Sequence, residues 1–541
     1  MDYPSDLWAE ILSYVSDASD LLKIVLTGDH RTCRLRPLIR RLRFAFLPKV
    51  STPTLESALS SSALYLNLEK ILLEEKEDDD NGLKRMMFSP PTFEYSGVLF
   101  SRFPSHLHTL ILNLSTQWIH PMHLSLLPRS LKRLEAPILF AHSQTAETTA
   151  SVDSSSVSWP DLESLCFRGS LWKLLLTRQD LERLPTTLTH LDVRCAFLYD
   201  SCESCPLHRL ANLTSLICAP EQRLGVWFPP NVVTLQLEFT TRASFFFKRI
   251  PRSVLHFTAL STQIGAQQPK CNALDLELLP RDLKTLKIHE LVDWKDPASV
   301  KRALPPRLET YFGKCTLKGL DCLPSTITDF GAALIEDVED EEEGEQSLSK
   351  IAPLSTLFPR LRKLSLASTT KCVLPSTFFD NLPFQSLVHI NLGTQYKTTS
   401  KGFWNQLPRH LETLCCSVSQ ISLSLLSFTS LPPCLTCLEL NISNLSIRDE
   451  HISSLPRRLR TLKLVGSGCE LTDDCIPFLP RLLESLVLIS NYNFTAESIP
   501  HWPRTLSYIQ IGWNDKMDRA ALRSIMVGSK TLVTLYRKLP P

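Results

Sequence analysis

One pattern of apolar and polar positions recurs along most of the chain. It consists of an apolar residue, a proline, two or three variable residues and then L-x-x-L-x-L, and it repeats from about residue 103 to residue 511. Clear copies read LPRSLKRLEA, LPTTLTHLDV, LPRDLKTLKI, LPPCLTCLEL, LPRRLRTLKL and LPRLLESLVL. The prolines of the last copies lie 23 to 25 residues apart, at Pro383, Pro408, Pro432, Pro456, Pro480 and Pro503. A constant period of this length indicates one supersecondary unit per copy.

The end of each copy alternates between apolar and polar residues, which is typical of a half-buried β-strand. In the copy that starts at Leu455, Leu462 and Leu464 are predicted to lie on one face, with Thr461 and Lys463 on the other. The segments before the prolines predict short turns, and Pro477 and Pro500 inside two of them favour short or 3₁₀ helices over long ones. Carboxylates are expected in the first turn of these segments, at Asp449, Glu450, Asp473, Asp474 and Glu497.

The period and the L-x-x-L-x-L strand signature resemble the leucine-rich-repeat family. The resemblance implies an α/β fold, a solenoid with a curved parallel sheet and short helices or turns on the convex side. We assign residues 101–541 to this solenoid and expect a helix over 518–528 to close it. Residues 48–100 are interpreted as a connecting or N-terminal capping region that contains an acidic loop, EEKEDDDNG.

Residues 1–47 lack the repeat and predict two short amphipathic helices. The stretch PSDLWAEILSYVSDASDLLKIVLTG resembles the F-box. That resemblance implies docking on a Skp-type adaptor and, through it, on a cullin scaffold. The positions that would dock or hold the motif's own core are Pro4, Leu7, Ile11, Leu12, Val15, Leu21 and Leu22. The alternative is a plain helical cap for the first repeat.

Composition narrows the classes of function. Lys and Arg number 58 against 56 Asp and Glu, a formal charge of +2, so no global field draws the chain to nucleic acid or to a membrane. With no secretory signal and no apolar run of about 18 residues, we expect a cytoplasmic or nuclear protein. Its 16 cysteines are then expected to be reduced thiols. Six arginines between residues 31 and 43 could be a nuclear address or a phosphate-binding patch, but we favour a solvated helix face, because no aromatic side chains are interleaved for base stacking.

Candidate chemistry is sparse. Neither phosphate-binding glycine motif is present, nor H-E-x-x-H or G-x-S-x-G, so we expect no enzyme and no cofactor. A zinc site could be assembled from the group Cys195, Cys202, Cys205, His208 and Cys218, but we favour repeat-core thiols. Cys434 and Cys437 also form a C-x-x-C pair, yet both positions are explained by the repeat.

The combination of repeats with an F-box-like segment predicts a substrate receptor of an SCF-type ubiquitin ligase. Its unknown target protein would bind the concave sheet at positions five, seven and nine after each proline. These positions include Arg133, Glu135, His190, Asp192, Arg194, Lys287, His289, Glu439, Asn441, Lys463, Tyr508 and Gln510. The competing hypothesis is a repeat scaffold or binding module without any ligase role.

Overall fold

The structure is a computed structural model. The chain forms two compact units, Met1–Ile264 and Gly265–Pro541. The predicted helices before residue 44 and at 518–528 lie outside the described residues. The structure describes residues 44–48, 70–74, 93–94, 100–101, 103, 105–113, 117–119, 121–138, 159–167, 174–176, 178–198, 206–220, 228–239, 244–261, 270–292, 296–316, 318–335, 353–368, 373–374, 382–393, 397–398, 407–417, 428–441, 447–466, 470–489, 494–512 and 532–536.

The first unit contains a ladder of parallel strands. Its order is β1, β2, β4, β6, β7, β9, β10, β11 and β12, with β8 paired to β9 and β3 to β5. The strands are β1 (Phe44–Pro48), β2 (Lys70–Glu74), β3 (Phe93–Glu94), β4 (Thr109–Asn113), β5 (Gln117–Trp118), β6 (Arg133–Ala136), β7 (Ser164–Phe167), β8 (Leu174–Leu176), β9 (His190–Leu198), β10 (Ser215–Pro220), β11 (Thr234–Phe239) and β12 (His256–Ser261).

The second unit has the same organisation. Parallel pairing runs through β13, β14, β15, β16, β17, β19 and then β21 to β26, while β18 pairs with β20. The strands are β13 (Lys270–Cys271), β14 (Thr285–Val292), β15 (Thr310–Thr316), β16 (Asp329–Ile335), β17 (Lys363–Ser368), β18 (Val373–Leu374), β19 (His389–Leu392), β20 (Lys397–Thr398), β21 (Thr413–Ser417), β22 (Cys437–Asn441), β23 (Thr461–Val465), β24 (Ser485–Ile489), β25 (Tyr508–Gly512) and β26 (Leu532–Tyr536).

Short helices lie between the strands. The α-helices are α1 (Arg178–Glu182), α2 (Ser244–Phe247), α3 (Ala273–Leu276), α4 (Pro297–Ala303), α5 (Leu354–Leu357) and α6 (Asp449–Ile452). The 3₁₀ helices are η1 (Pro121–Leu126), η2 (Pro206–Arg209), η3 (Lys318–Cys322), η4 (Phe428–Ser430), η5 (Asp473–Phe478) and η6 (Ala496–His501). The 3₁₀ helices predicted around Pro477 and Pro500 are confirmed. In the described part of the chain, no helix combines the length and apolar character needed to cross a membrane.

Rows of leucine explain why the strands pair in this register. In the second unit, Leu438, Leu462 and Leu486 face one another on adjacent strands and are fully buried. In the first unit, Leu191, Leu216 and Leu235 form the equivalent buried row. Thr461 and Lys463 alternate with the buried leucines of β23 and are half-exposed, as predicted. Each unit is therefore a leucine-rich-repeat solenoid, with parallel strands on one side and short helices on the other.

Parallel pairing includes strands before residue 101: β1 (Phe44–Pro48) pairs with β2 (Lys70–Glu74), which pairs with β4. The carboxylates lie in the first turns as expected, at Asp449 and Glu450, Asp473 and Asp474, and Glu497. Asp449 accepts hydrogen bonds from the backbone N–H of Thr472, at 2.8 Å, and from its hydroxyl. Asp473 binds Thr495 in the same way, so these carboxylates join successive repeats.

A second connection between repeats starts two residues after the proline. In the first unit, the hydroxyl of Ser253 donates to the carbonyls of Pro230 and Val232 in the preceding repeat, at 2.6 and 2.7 Å. The same bridge is made by other hydroxyls at this position, namely Ser130, Thr326 and Thr505. These carbonyls belong to the turn before a strand, where the sheet supplies no partner, so the hydroxyl satisfies them.

We predict that Ser253→Ala lowers the free energy of unfolding by about 1 kcal/mol, because it removes a donor shared by two carbonyls. The shift of the urea unfolding midpoint measures the effect. Ser453→Ala is the matched control, since the exposed hydroxyl of Ser453 donates to Glu450 within one turn. Equal effects of the two substitutions would contradict a role for the bridge between repeats.

Candidate functional site

The side of the strands opposite the leucine rows is the candidate binding surface of each unit, and we call it the open face. Each strand contributes to it the residue before the first buried leucine, such as Thr461, the residue after it, such as Lys463, and the residue after the second buried leucine, such as Asn441. Strands in register lie about 4.8 Å apart, so these residues form continuous rows across neighbouring strands. The open face is therefore a grid whose positions are fixed by the core.

Most of the predicted contact residues with described side chains are accessible on this grid. Arg133, Lys287 and Asn441 are exposed, and partly exposed side chains belong to His190, Glu439, Lys463, Tyr508 and Gln510. Glu135 and Asp192 are buried, at 4% and 3% exposure, which corrects their interpretation as contact residues. Glu135 accepts a hydrogen bond from Arg133, which lies two positions earlier on β6. Arg194 and His289 lie within β9 and β14, and their side chains are outside the described part of the structure.

Charges on the open face alternate in sign between neighbouring strands. Lys463 Nζ lies 3.5 Å from a carboxylate oxygen of Glu439, and Lys363 Nζ lies 4.0 Å from Asp329. Such partly exposed pairs add little stability, but they fix a pattern that a partner can read. On β19, burial and the neighbouring Lys363 lower the pKa of His389, so its imidazole is neutral at physiological pH.

An aromatic side chain occupies the open face of β15. Phe312 is 41% exposed, and Lys287 Nζ of the neighbouring strand β14 lies 5.5 Å from the centre of its ring. On the other side, Gly331 of β16 is in register with Phe312, and a Cβ atom at Gly331 would overlap the ring. The Phe312 ring therefore occupies the space that a side chain at Gly331 would fill. Lys287 and Phe312 together form a cation–π pair.

Thiols in the core carry no sign of reactivity. Burial raises the pKa of Cys322 to about 11 and that of Cys416 to about 12, so both remain protonated. Protonated buried thiols are inert and pack as small apolar groups. Of the proposed zinc group, Cys218 is buried and His208 is exposed, while the side chains of Cys195, Cys202 and Cys205 lie outside the described part.

Two features of the open face were missed by the sequence reasoning. Phe312 follows Pro305 by seven residues, so the positional rule includes it, but only the register shows that Gly331 stands beside it. Cys437 was paired with Cys434 as a C-x-x-C motif. In the structure its thiol contacts Cys415 on the preceding strand and Glu439 on its own strand. The repeat period could have revealed the contact between Cys415 and Cys437. It aligns Cys415 with Glu439, which lies two residues after Cys437 on the same strand.

Comparisons with solved structures find leucine-rich-repeat proteins at low sequence identity and low TM-score. The chain resembles CroV588, described as a novel circular LRR protein, with 17% identity, a TM-score of 0.39 and coverage of 87% of this chain and 66% of that protein. It also resembles TLR13 in a complex with ssRNA13, with 18% identity, a TM-score of 0.41 and coverage of 87% and 60%. LegL7 from Legionella pneumophila is 13% identical, with a TM-score of 0.29 and coverage of 50% of this chain and 90% of that protein.

This chain thus spans about two thirds of the length of CroV588 and 60% of the length of TLR13. No protein-family model matches the sequence, and no curated protein matches it.

We predict that Gly331→Ala destabilises the protein by about 1 kcal/mol, because the new methyl group displaces the Phe312 ring from Lys287. In a Phe312→Ala background the same substitution is expected to be neutral or stabilising by up to about 1 kcal/mol, since alanine restricts the unfolded chain. Urea unfolding of the four variants of this double-mutant cycle measures both effects. An unchanged cost of Gly331→Ala in the two backgrounds would contradict the contact.

Proposed function

We propose that this chain is a protein-binding module that holds a partner protein on the open face of its repeats. The observation that carries the proposal is the exposed pair of Lys287 and Phe312 within a grid of mixed charges. Aromatic side chains, phenylalanine among them, are enriched in protein interfaces, where a few anchors supply most of the binding energy. The buried rows do not depend on these side chains, so the surface is available for recognition.

Size and charge favour a protein over a small ligand. A stable protein interface buries about 800 Å² on each partner, which requires a broad surface of some 20 to 30 residues. Rows of side chains at about 4.8 Å spacing provide such a surface over several strands. Alternating pairs such as Lys463 with Glu439 offer both signs of charge, whereas binding of nucleic acid favours a basic stripe.

We further propose that the module is the substrate receptor of an SCF-type ubiquitin ligase. Support comes from the resemblance of residues 1–47 to the F-box, which implies that Ile11 and Leu12 belong to the docking positions or the motif's own core. In this function the chain brings a target protein close to the ubiquitin-charged enzyme and performs no bond chemistry of its own. A repeat scaffold without an adaptor is the second candidate, and the next experiment separates the two.

We predict that the full chain co-purifies with a Skp-type adaptor when the two are expressed together. The double substitution Ile11→Asp and Leu12→Asp should abolish this association, because it places two charges in an apolar interface. Leu274→Asp is the matched control. Leu274 is 72% exposed, so its substitution introduces a charge at a position where that charge remains in solvent. The adaptor bound per chain is measured on purified complexes.

Two outcomes oppose the ligase function. If the wild-type chain does not bind the adaptor, the proposal is wrong and the scaffold function is favoured. If Leu274→Asp abolishes binding as fully as the double substitution, adaptor binding does not depend on the F-box-like helix. Circular dichroism of each variant shows whether the repeats remain folded.

For the open face, we predict that Phe312→Ala weakens capture of the partner by at least about tenfold, as expected for an interface hot spot. Proximity labelling with the wild-type chain identifies the partner, and its binding is then measured with purified proteins. Phe478→Ala is the matched control, because Phe478 is 58% exposed but lies in η5, away from the strands. Equal losses for the two substitutions would place binding outside the open face.

A further inference from the structure

Two thiols and a carboxylate meet on the open face of the second unit. They are Cys415 of β21 and both Cys437 and Glu439 of β22, and their ligand atoms all lie within 4.8 Å of one another. The register places Cys415 opposite Glu439 and Thr413 opposite Cys437, so the two cysteines are diagonal neighbours. All three side chains are half-exposed, which leaves the group open to solvent.

From this geometry we propose that Cys415, Cys437 and Glu439 form a binding site for one Zn²⁺ ion. Thiolate and carboxylate are both zinc ligands, whereas Ca²⁺ and Mg²⁺ require sets composed of oxygen atoms. Zinc–sulfur bonds of about 2.3 Å bring tetrahedral sulfur ligands to roughly 3.8 Å from each other. Because strand positions fix the backbone, only small rotations of the three side chains are needed to reach this spacing.

The charges around the group suit a divalent cation. One oxygen of Glu439 lies 4.0 Å from the Cys437 sulfur, and the other lies 3.5 Å from Lys463 Nζ on β23. Two thiolates, one carboxylate and Zn²⁺ together carry one negative charge, and the ammonium group of Lys463 offsets it. The carboxylate therefore turns one oxygen to the thiols and the other to the lysine, as a shared ligand would.

The two thiols differ in how readily they lose a proton. The hydrogen bond from Cys415 lowers the pKa of Cys437, and the same bond, together with burial, raises the pKa of Cys415. Other charged groups near the pair are Glu439, which opposes ionisation, and Lys463, which favours it at Cys437. On the far side, His389 and Asn391 of β19 face Thr413 and Cys415. Zinc binding must displace the thiol protons, so affinity is expected to increase with pH.

Repeat packing alone does not account for this group. Cysteines of the core lie at inward-facing strand positions, as Cys416 does beside Cys415. Cys415 and Cys437 instead face the open side, where the repeat imposes no small apolar residue. The inference does not depend on the ligase function, since it concerns only β21 and β22, which carry the three ligands, and Lys463 of β23. Three protein ligands leave one coordination position for water.

The test uses the full chain, purified with a phosphine reductant, stripped with a chelator, loaded with Zn²⁺ alone and desalted. We expect Cys415→Ser and Cys437→Ser each to retain one zinc per chain fewer than the wild type, and Glu439→Gln to bind at least tenfold more weakly. Cys434→Ser is the matched control, because Cys434 is a half-exposed thiol three residues from Cys437 and outside the group. Mass spectrometry of the metal gives the stoichiometry.

Cobalt provides the second measurement. Co²⁺ loaded into the wild type should produce thiolate charge-transfer absorption that is lost in Cys437→Ser and weakens from about pH 8 to about pH 6. Wild-type stoichiometry in Cys437→Ser would overturn the proposal, as would an equal loss in Cys434→Ser. Since the exposed thiols contribute little to the core, the variants are expected to keep the wild-type thermal midpoint without metal. A variant that unfolds is replaced by Cys437→Ala in the same assay.

Discussion

Packing of leucines between successive repeats is the interaction on which the rest of the molecule depends. A single repeat has no neighbour to cover Leu462, and its strand has no partner for its backbone groups. When β22, β23 and β24 pair in register, Leu438, Leu462 and Leu486 are buried together. Side chains alternate with a period of two, so a shift by one residue would move every leucine to the open face. The core therefore also fixes each residue of the open face.

Polar bridges complete the packing where the sheet cannot. The turn between proline and strand leaves carbonyls without strand partners, and hydroxyls such as Ser253 satisfy two of them at once. On the helical side, Asp449 and Asp473 join one repeat to the next through Thr472 and Thr495. These bonds run between repeats, in the same direction as the leucine contacts. They strengthen stacking and leave the open face free to vary.

The sequence predicts the parts of the structure that depend on one repeat. Alternation around Leu462, the 3₁₀ helices at Pro477 and Pro500 and the core rows all follow from local patterns. Contacts between repeats need the register, and the spacing within one strand does not contain it. For this reason Cys437 was paired with Cys434 within one copy, although its neighbour is Cys415 in the copy before. The sequence likewise places Asp449 in its turn but does not reveal its bond to Thr472 in the next repeat.

Burial on the open face is a further property that sequence position does not determine. Glu135 and Asp192 occupy the same row as Lys287 and Lys463, yet they are buried and the lysines are accessible. Glu135 accepts a hydrogen bond from Arg133 on its own strand, a contact that its position in the repeat does not reveal. The contact of Phe312 with Gly331 likewise depends on which residues the register brings together.

Strands in register lie about 4.8 Å apart, so side chains of one row contact their neighbours on adjacent strands. The Phe312 ring lies over Gly331 of β16, and Lys287 of β14 lies on its other side. Rings also stack in register at this spacing, as Tyr311 and Phe330 do in the core. Side chains that instead bind one another across strands, as Cys415, Cys437 and Glu439 do, exploit the same close spacing. The grid thus favours two kinds of site: isolated aromatic anchors and compact clusters of polar ligands.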